Sequence, residues 1–245
     1  MTEVETAGGI RRIFEKVHRR YRLINYLLTL GLDRRWRKKA AGIAAGGACG
    51  GKWLDVCTGT GDMAFRLLEE APEGTSVYGL DFTMQMIETA LEDPRAGRVD
   101  FILGNAVRLP FREGSFDLIT VSFSTRNMNL NTEALTGTFR EFRRVLKPGG
   151  LFLNLETSQP SSALIRKIFH LLVSLYVAQV GRIVSGAGEA YRYLAGSIPG
   201  FFPPGQLASI MEEAGFEEIS FLPMTLGAVA LHWGRKPVNA GTIMD

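Results

Sequence analysis

The strongest constraint on this chain is an alternation that starts at residue 52 and ends near residue 155. Short apolar runs at 52–56 (KWLDV), 76–81 (SVYGLD), 99–103, 116–123 (FDLITVSF) and 151–155 read as buried strands. Between them, 62–70, 84–91 and 132–146 read as helices, the last stopped by Lys147-Pro148-Gly149-Gly150. Such alternation implies a mostly parallel, doubly wound sheet, because parallel neighbours need a crossover and a helix supplies it. After a helix at 206–214 the pattern changes, and strands at 216–222 and 228–233 follow one another with no helix between them. A link that short forces antiparallel pairing, since a parallel crossover takes about a dozen residues or more. The expected fold is α/β and Rossmann-like, with a mostly parallel seven-stranded sheet ending in an antiparallel hairpin.

Helices flank this pattern. Ile13, Phe14, Val17, Tyr21, Ile24 and Leu28 recur at helical spacing within 10–30, and a second helix is expected from Asp33, a good N-cap, to about Ala45. Residues 10–45 thus read as two lid helices, and 161–200 as a helical insertion over the substrate site. The 245 residues otherwise fit one domain with no internal repeat.

Composition narrows the function classes. A net charge of +3, with no stripe of Lys and Arg interleaved with aromatics, argues against nucleic acid as a partner. Cys49 and Cys57 make neither a disulfide framework nor a metal site, which points to no metal and to a reducing, cytoplasmic setting. The N-terminus, MTEVETAGG, lacks the basic-then-apolar pattern of a secretory signal. The apolar run at 168–180 is too short to cross a bilayer as a helix.

The segment Leu54-Asp55-Val56-Cys57-Thr58-Gly59-Thr60-Gly61-Asp62 is a strand, a glycine-bearing turn and a helix start. Gly59 and Gly61 tolerate positive φ and let backbone approach a ligand. The spacing also satisfies the dinucleotide fingerprint, with Asp81 where a ribose-binding acid would stand, so a nicotinamide cofactor is a rival. Three features favour S-adenosylmethionine (AdoMet). Asp55 puts a negative charge where a pyrophosphate would lie, and that charge suits an ammonium group instead. The terminal hairpin is foreign to the plain six-stranded nucleotide fold. Asp81-Phe82 suits an adenosine, the acid on the ribose hydroxyls and the ring on adenine. Asn105, in Gly104-Asn105-Ala106 after the third strand, can donate to and accept from a purine edge, and Ser122 is expected to face the same cleft.

Taken together these motifs resemble the ubiquinone/menaquinone biosynthesis C-methyltransferases, over about Phe14 to Lys236. The resemblance rests on Phe14, Val17, Tyr21, Asn25, Gly31 and Trp36, on LDVCTGTGD at 54–62 and on GNAVRLPFREGSFD at 104–117. It continues through SFSTRN at 122–127, RRVLKPGGLFLNLETSQP at 143–160, AYRYLAGSI at 190–198 and GAVALHWGRK at 227–236. The Arg126-Asn127 pair, the YRYLxxSI segment and the VALHxG ending are the specific parts. The resemblance implies a Rossmann-like AdoMet-dependent C-methyltransferase acting on a prenylated quinol, most simply demethylmenaquinol, otherwise the benzoquinol precursor of ubiquinone. It places cofactor contacts at Thr60, Asp81, Asn105, Ala106 and Ser122; the reading of the residues themselves adds Asp55, Thr58, Gly59, Gly61 and Phe82. It places the reaction centre at Arg126 and Asn127, with Tyr21 near the substrate. The chain departs from the pattern at Arg22 (usually Asp), Thr125 (usually aliphatic) and Thr157 (usually Phe).

On this reading Arg126 stabilises a developing phenolate, because its charge is fixed and its pKa too high for a free base. Asn127 would fix that oxygen or a proton-accepting water. His232, in the apolar strand AVALHW, is a structural histidine or an alternative base, the former being the commoner case. The apolar helix at 163–183 either lines a groove for a polyprenyl tail, or rests on the inner face of the membrane, or packs in the core or a homodimer interface. The rivals are a methyltransferase for another phenolic or lipid acceptor and a non-catalytic AdoMet-binding partner protein.

Overall fold

The computed structural model describes residues 15, 18, 21–184 and 196–238. Phe14, Val17 and most of the AYRYLAGSI segment lie outside them, as does the first half of the expected lid helix. The elements are α1 (Tyr21–Thr29), α2 (Leu32–Gly47), β1 (Lys52–Val56), α3 (Asp62–Glu70), β2 (Ser76–Asp81), α4 (Met84–Leu91), β3 (Val99–Leu103) and β4 (Phe116–Ser122). They continue with α5 (Thr125–Met128), α6 (Thr132–Val145), β5 (Leu146–Thr157), α7 (Ala163–Val184), α8 (Pro204–Glu213), β6 (Glu217–Met224) and β7 (Val229–Arg235).

The seven strands form one sheet in the order β3-β2-β1-β4-β5-β7-β6. Strands β1 to β5 are parallel, and β7 enters antiparallel between β5 and β6. The expected α/β architecture and terminal hairpin are therefore present. Strand order reverses between β1 and β4, which opens a crevice at their carboxyl ends where ligands of such sheets bind.

Strand alternation divides the core between the two faces. Leu54, Val56, Ile119, Val121 and Phe152 pack with Phe139 and Phe142 of α6 and with Leu207 and Met211 of α8. Trp53, Leu118, Leu151 and Leu153 pack on the other face with Ala40, Ala41 and Ala44 of α2 and with Met63, Phe65 and Leu67 of α3. Each strand is apolar on both faces because both are covered by helices.

Three expectations need correction. Asp33 does not cap α2. Gly31, at φ 75°, stands at the N-cap, and Asp33 lies in the first turn, accepting from Thr29 Oγ1 at 2.9 Å and pairing with Arg37 at 2.6 Å. Only glycine takes that left-handed turn without strain, so it sets the helix start. The Lys147-Pro148-Gly149-Gly150 segment does not merely break α6; it lies within β5 as an irregularity, the pairing shifting between Phe116 and Leu118 on β4. Gly149 (φ 74°) absorbs the bend, and Lys147 Nζ anchors it on both Asp117 oxygens at 2.8 Å. Third, residues 125–128 form the short helix α5 where the sequence shows no helical pattern, because four residues are too few to show a period.

Candidate active site

The carboxyl ends of β1, β2, β3 and β4 enclose a cavity of about 600 Å³. Its floor is the turn after β1. Cys57 and Gly59 both have φ 56°, and Thr58 N–H donates to Leu80 O at 2.9 Å, tying the turn to β2. At the end of β2, Asp81 accepts Gly59 N–H on Oδ2 and Thr83 N–H on Oδ1, both at 2.9 Å. Burial raises the Asp81 carboxyl above its ordinary range, although the backbone N–H groups that reach it pull the other way.

Of the expected cofactor residues, Gly59, Asp81, Phe82, Asn105 and Ala106 line the cavity. Asn105 Oδ1 is held by Val107 N–H at 3.1 Å, which fixes the amide plane. Tyr21 of α1 lines it too, its ring 3.9 Å from the point where a Cβ on Gly59 would sit. Burial pushes the Tyr21 hydroxyl above the usual phenol range, so it stays protonated. Arg22 straps α1 down: its guanidinium donates to Thr60 O at 2.7 Å and meets Asp62 at 3.1 Å. The exposure of that ion pair limits it to roughly 1 kcal/mol or less.

Asp55, Thr58, Thr60, Gly61 and Ser122 are not among the lining residues. Asp55 is fully buried, and its oxygens accept hydroxyls from Thr58 at 2.7 Å and Thr120 at 2.8 Å. Thr120 is its register partner on β4, so the two side chains share one face of the sheet. Asp55 supports the turn from beneath through Thr58, and burial pushes its carboxyl up to about 6. Thr60 Oγ1 donates to Asp62 at 3.0 Å. Gly61 packs closely as well: a Cβ there would lie 2.7 Å from the Phe65 ring. Ser122 gives way to Ser124, because Phe123 at φ 57° turns the chain and sends its ring toward Trp36 and Arg37 on the opposite face.

The Arg126-Asn127 pair divides. Asn127 lines the cavity, whereas Arg126 is buried beside the end of β5. Arg126 backbone N–H donates to Glu156 Oε2 at 3.1 Å, and its NH1 donates to Thr157 Oγ1 at 3.3 Å and lies 3.9 Å from Glu156 Oε1. Its Nε is buried with no hydrogen-bond partner among the described residues. Next to it, Thr125 Oγ1 donates to Asn154 Oδ1 of β5.

Sequence reasoning missed Glu156, whose only signal was an acid inside a buried strand end (LNLET). It also missed Ala134, Gly137 and Thr138, which line the cavity from one face of α6, and the apolar Met86, Val107 and Met128. Small and apolar residues of this kind look like ordinary core in a sequence. His232 is structural: Nε2 bonds Pro204 O at 3.0 Å, it does not line the cavity, and burial pulls it down to about 4. Cys57 lines the cavity, but burial and the nearby Asp81 and Asp55 push its thiol well up, which disfavours a nucleophile.

These donors fit AdoMet. A strand-end carboxylate suits ribose hydroxyls, the Phe82 ring suits an adenine face, and the Asn105 amide suits a purine edge. The turn at Gly59 gives backbone close access.

A model of the ubiE/COQ5 methyltransferase family matches residues 1–236. The chain is 37% identical to a demethylmenaquinone methyltransferase of Roseiflexus castenholzii, over 95% of each chain. It is also 37% identical to a ubiquinone/menaquinone biosynthesis C-methyltransferase UbiE of Methylobacterium nodulans, over 95% of this chain and 92% of the relative. Among solved structures, a SAM-dependent methyltransferase of Thermotoga maritima superposes with a TM-score of 0.61 at 19% identity, covering 92% of this chain and 98% of that one. A methyltransferase of the same cofactor class from Methanococcus maripaludis gives 0.61 at 18% identity, over 91% and 93%.

Proposed function

This chain belongs to the ubiE/COQ5 methyltransferase family, and we propose on that premise that it methylates a ring carbon of a prenylated quinol, demethylmenaquinol first among the candidates. The observation that carries the reading is a guanidinium, Arg126, buried next to Asn127 with its Nε uncommitted, beside a cavity suited to AdoMet. Its relatives include both demethylmenaquinone methyltransferases and the ubiquinone/menaquinone type, so a benzoquinol acceptor is the second candidate.

A quinol ring carbon is a weak nucleophile until its hydroxyl loses a proton. Arg126 lowers the cost of the resulting phenolate, because a fixed charge in a dry site acts more strongly than in water. Asn127 holds the oxygen, or the water that takes its proton. Tyr21 and the α1 helix close the cavity above Gly59 and exclude bulk water. AdoMet, held at the cavity end formed by Gly59, Asp81, Phe82 and Asn105, would supply an electrophilic methyl and leave with the electron pair of the broken sulfur–methyl bond on sulfur; the proton given up by the ring carbon would pass to the water held at Asn127, which restores the aromatic ring. Alignment of such reactants can supply up to about 7–11 kcal/mol.

The α7 face carrying Leu164, Ile168, Leu171, Leu172 and Leu175 is exposed rather than packed in the core. No helix among the described residues is long and apolar enough to cross a membrane. An exposed leucine stripe of this kind suits the apolar tail of the acceptor or the lipid surface in which it dissolves. The test is incubation with methyl-labelled AdoMet and reduced, prenylated naphthoquinol and benzoquinol acceptors, with mass spectrometry of the lipid extract. The expected result is one labelled methyl on a ring carbon of the naphthoquinol. Label on an oxygen, or on neither acceptor, would remove the reading.

A further inference from the structure

Arg126 and Glu156 are both buried, yet they do not form a close ion pair. Their nearest side-chain atoms, NH1 and Oε1, lie 3.9 Å apart. The Thr157 hydroxyl sits between them, accepting from Arg126 NH1 at 3.3 Å and donating to Glu156 Oε1 at 3.0 Å. The same Oε1 accepts Thr157 N–H at 2.8 Å, and Oε2 accepts Arg126 N–H at 3.1 Å. Both carboxylate oxygens of Glu156 are thus engaged, and the backbone of Arg126 and its side chain hang on the same acid.

We propose that Thr157 is a positioning residue for methyl transfer: its hydroxyl bridges Arg126 and Glu156 and keeps the guanidinium from collapsing onto the carboxylate. Two buried opposite charges without the bridge would close to a bidentate pair, the strongest geometry open to them. A guanidinium spent in that pair presents less positive potential to a substrate oxygen. With the hydroxyl interposed, the charges stay apart and Nε stays uncommitted. Thr157 is also one of the places where this chain departs from the motif it resembles, so the bridge is a property of this chain's own residues.

The inference rests on the reading of Arg126 as the phenolate-stabilising group, and the variants separate the two. In Thr157→Val the side-chain shape is kept and the hydroxyl lost. Turnover with a prenylated quinol should fall about tenfold, the effect of one hydrogen bond to a charged group, while the KM for AdoMet changes little. The ascending limb of the kcat–pH profile should move to higher pH, because the substrate hydroxyl ionises less readily. Thr157→Ser should restore both turnover and limb. A merely structural role would lower kcat without moving the limb. If circular dichroism shows that the Val variant does not fold, Thr157→Ala takes its place, since the position is only half-buried. A folded variant with parental turnover and limb, or a Ser variant that fails to recover them, overturns the bridging role. If Arg126→Ala itself keeps parental turnover, the phenolate reading falls, and the bridge with it.

Discussion

The two halves of the cavity handle buried charge in opposite ways. At the ends of β1 and β2, Asp55 and Asp81 are held by hydroxyls and backbone N–H groups, with no cation in hydrogen-bond contact among the described residues, and both carboxyls are raised by burial. At the end of β5, Glu156 is held together with a cation, Arg126, whose Nε is left over. One half is short of positive charge and the other retains a donor for negative charge. A sulfonium amino acid suits the first and a phenolate the second. On the proposed function, binding and activation fall on different strands of the same sheet.

That contrast can be broken most directly at the cation. Arg126→Ala should lower turnover by about a hundredfold to a thousandfold, as loss of an oxyanion donor does, with AdoMet affinity nearly intact. Stopped assays at saturating AdoMet, paired with calorimetry, measure both. Equal losses in affinity and turnover would mean that the halves are not separate.

A second test concerns Asp55. Its folded carboxyl sits near 6, against about 4 in an unfolded chain, so between those values the native state binds more protons than the unfolded one. Stability in the absence of ligand then falls as pH rises through that window, by roughly 3 kcal/mol in all, and stays low above it. Asp55→Asn carries no such titration. The urea stability of the parent relative to this variant should drop by most of that amount, about 2–2.5 kcal/mol, from pH 4 to pH 7. A relative stability flat across the range would show that Asp55 ionises as easily folded as unfolded, and the contrast would disappear.

The smallest effect is expected at Asp81. Asp81→Ala removes the acid proposed to grip the ribose and two anchors of the turn, and should weaken AdoMet binding by roughly tenfold to a hundredfold. Turnover at saturating cofactor should survive. A variant that binds normally but turns over slowly would move Asp81 into the acceptor half.

The parallel sheet, its antiparallel ending, the glycine turn and the place of Asp81-Phe82 and Asn105-Ala106 on the cavity wall were all legible in the chain, because each depends on residues within a few positions of one another. Periodicity places an apolar face, a strand end places an acid, and a short link dictates antiparallel pairing. What stayed hidden depends on residues far apart in sequence. Asp55 is tied down by the hydroxyl of Thr120, 65 residues on, which sits beside it on β4. Glu156 reaches the backbone of Arg126 across 30 residues, and Arg22 reaches the cofactor turn across 38. A sequence pattern records local geometry and one-dimensional period; which buried charges meet, and which are left unpaired, is decided only when the strands lie side by side.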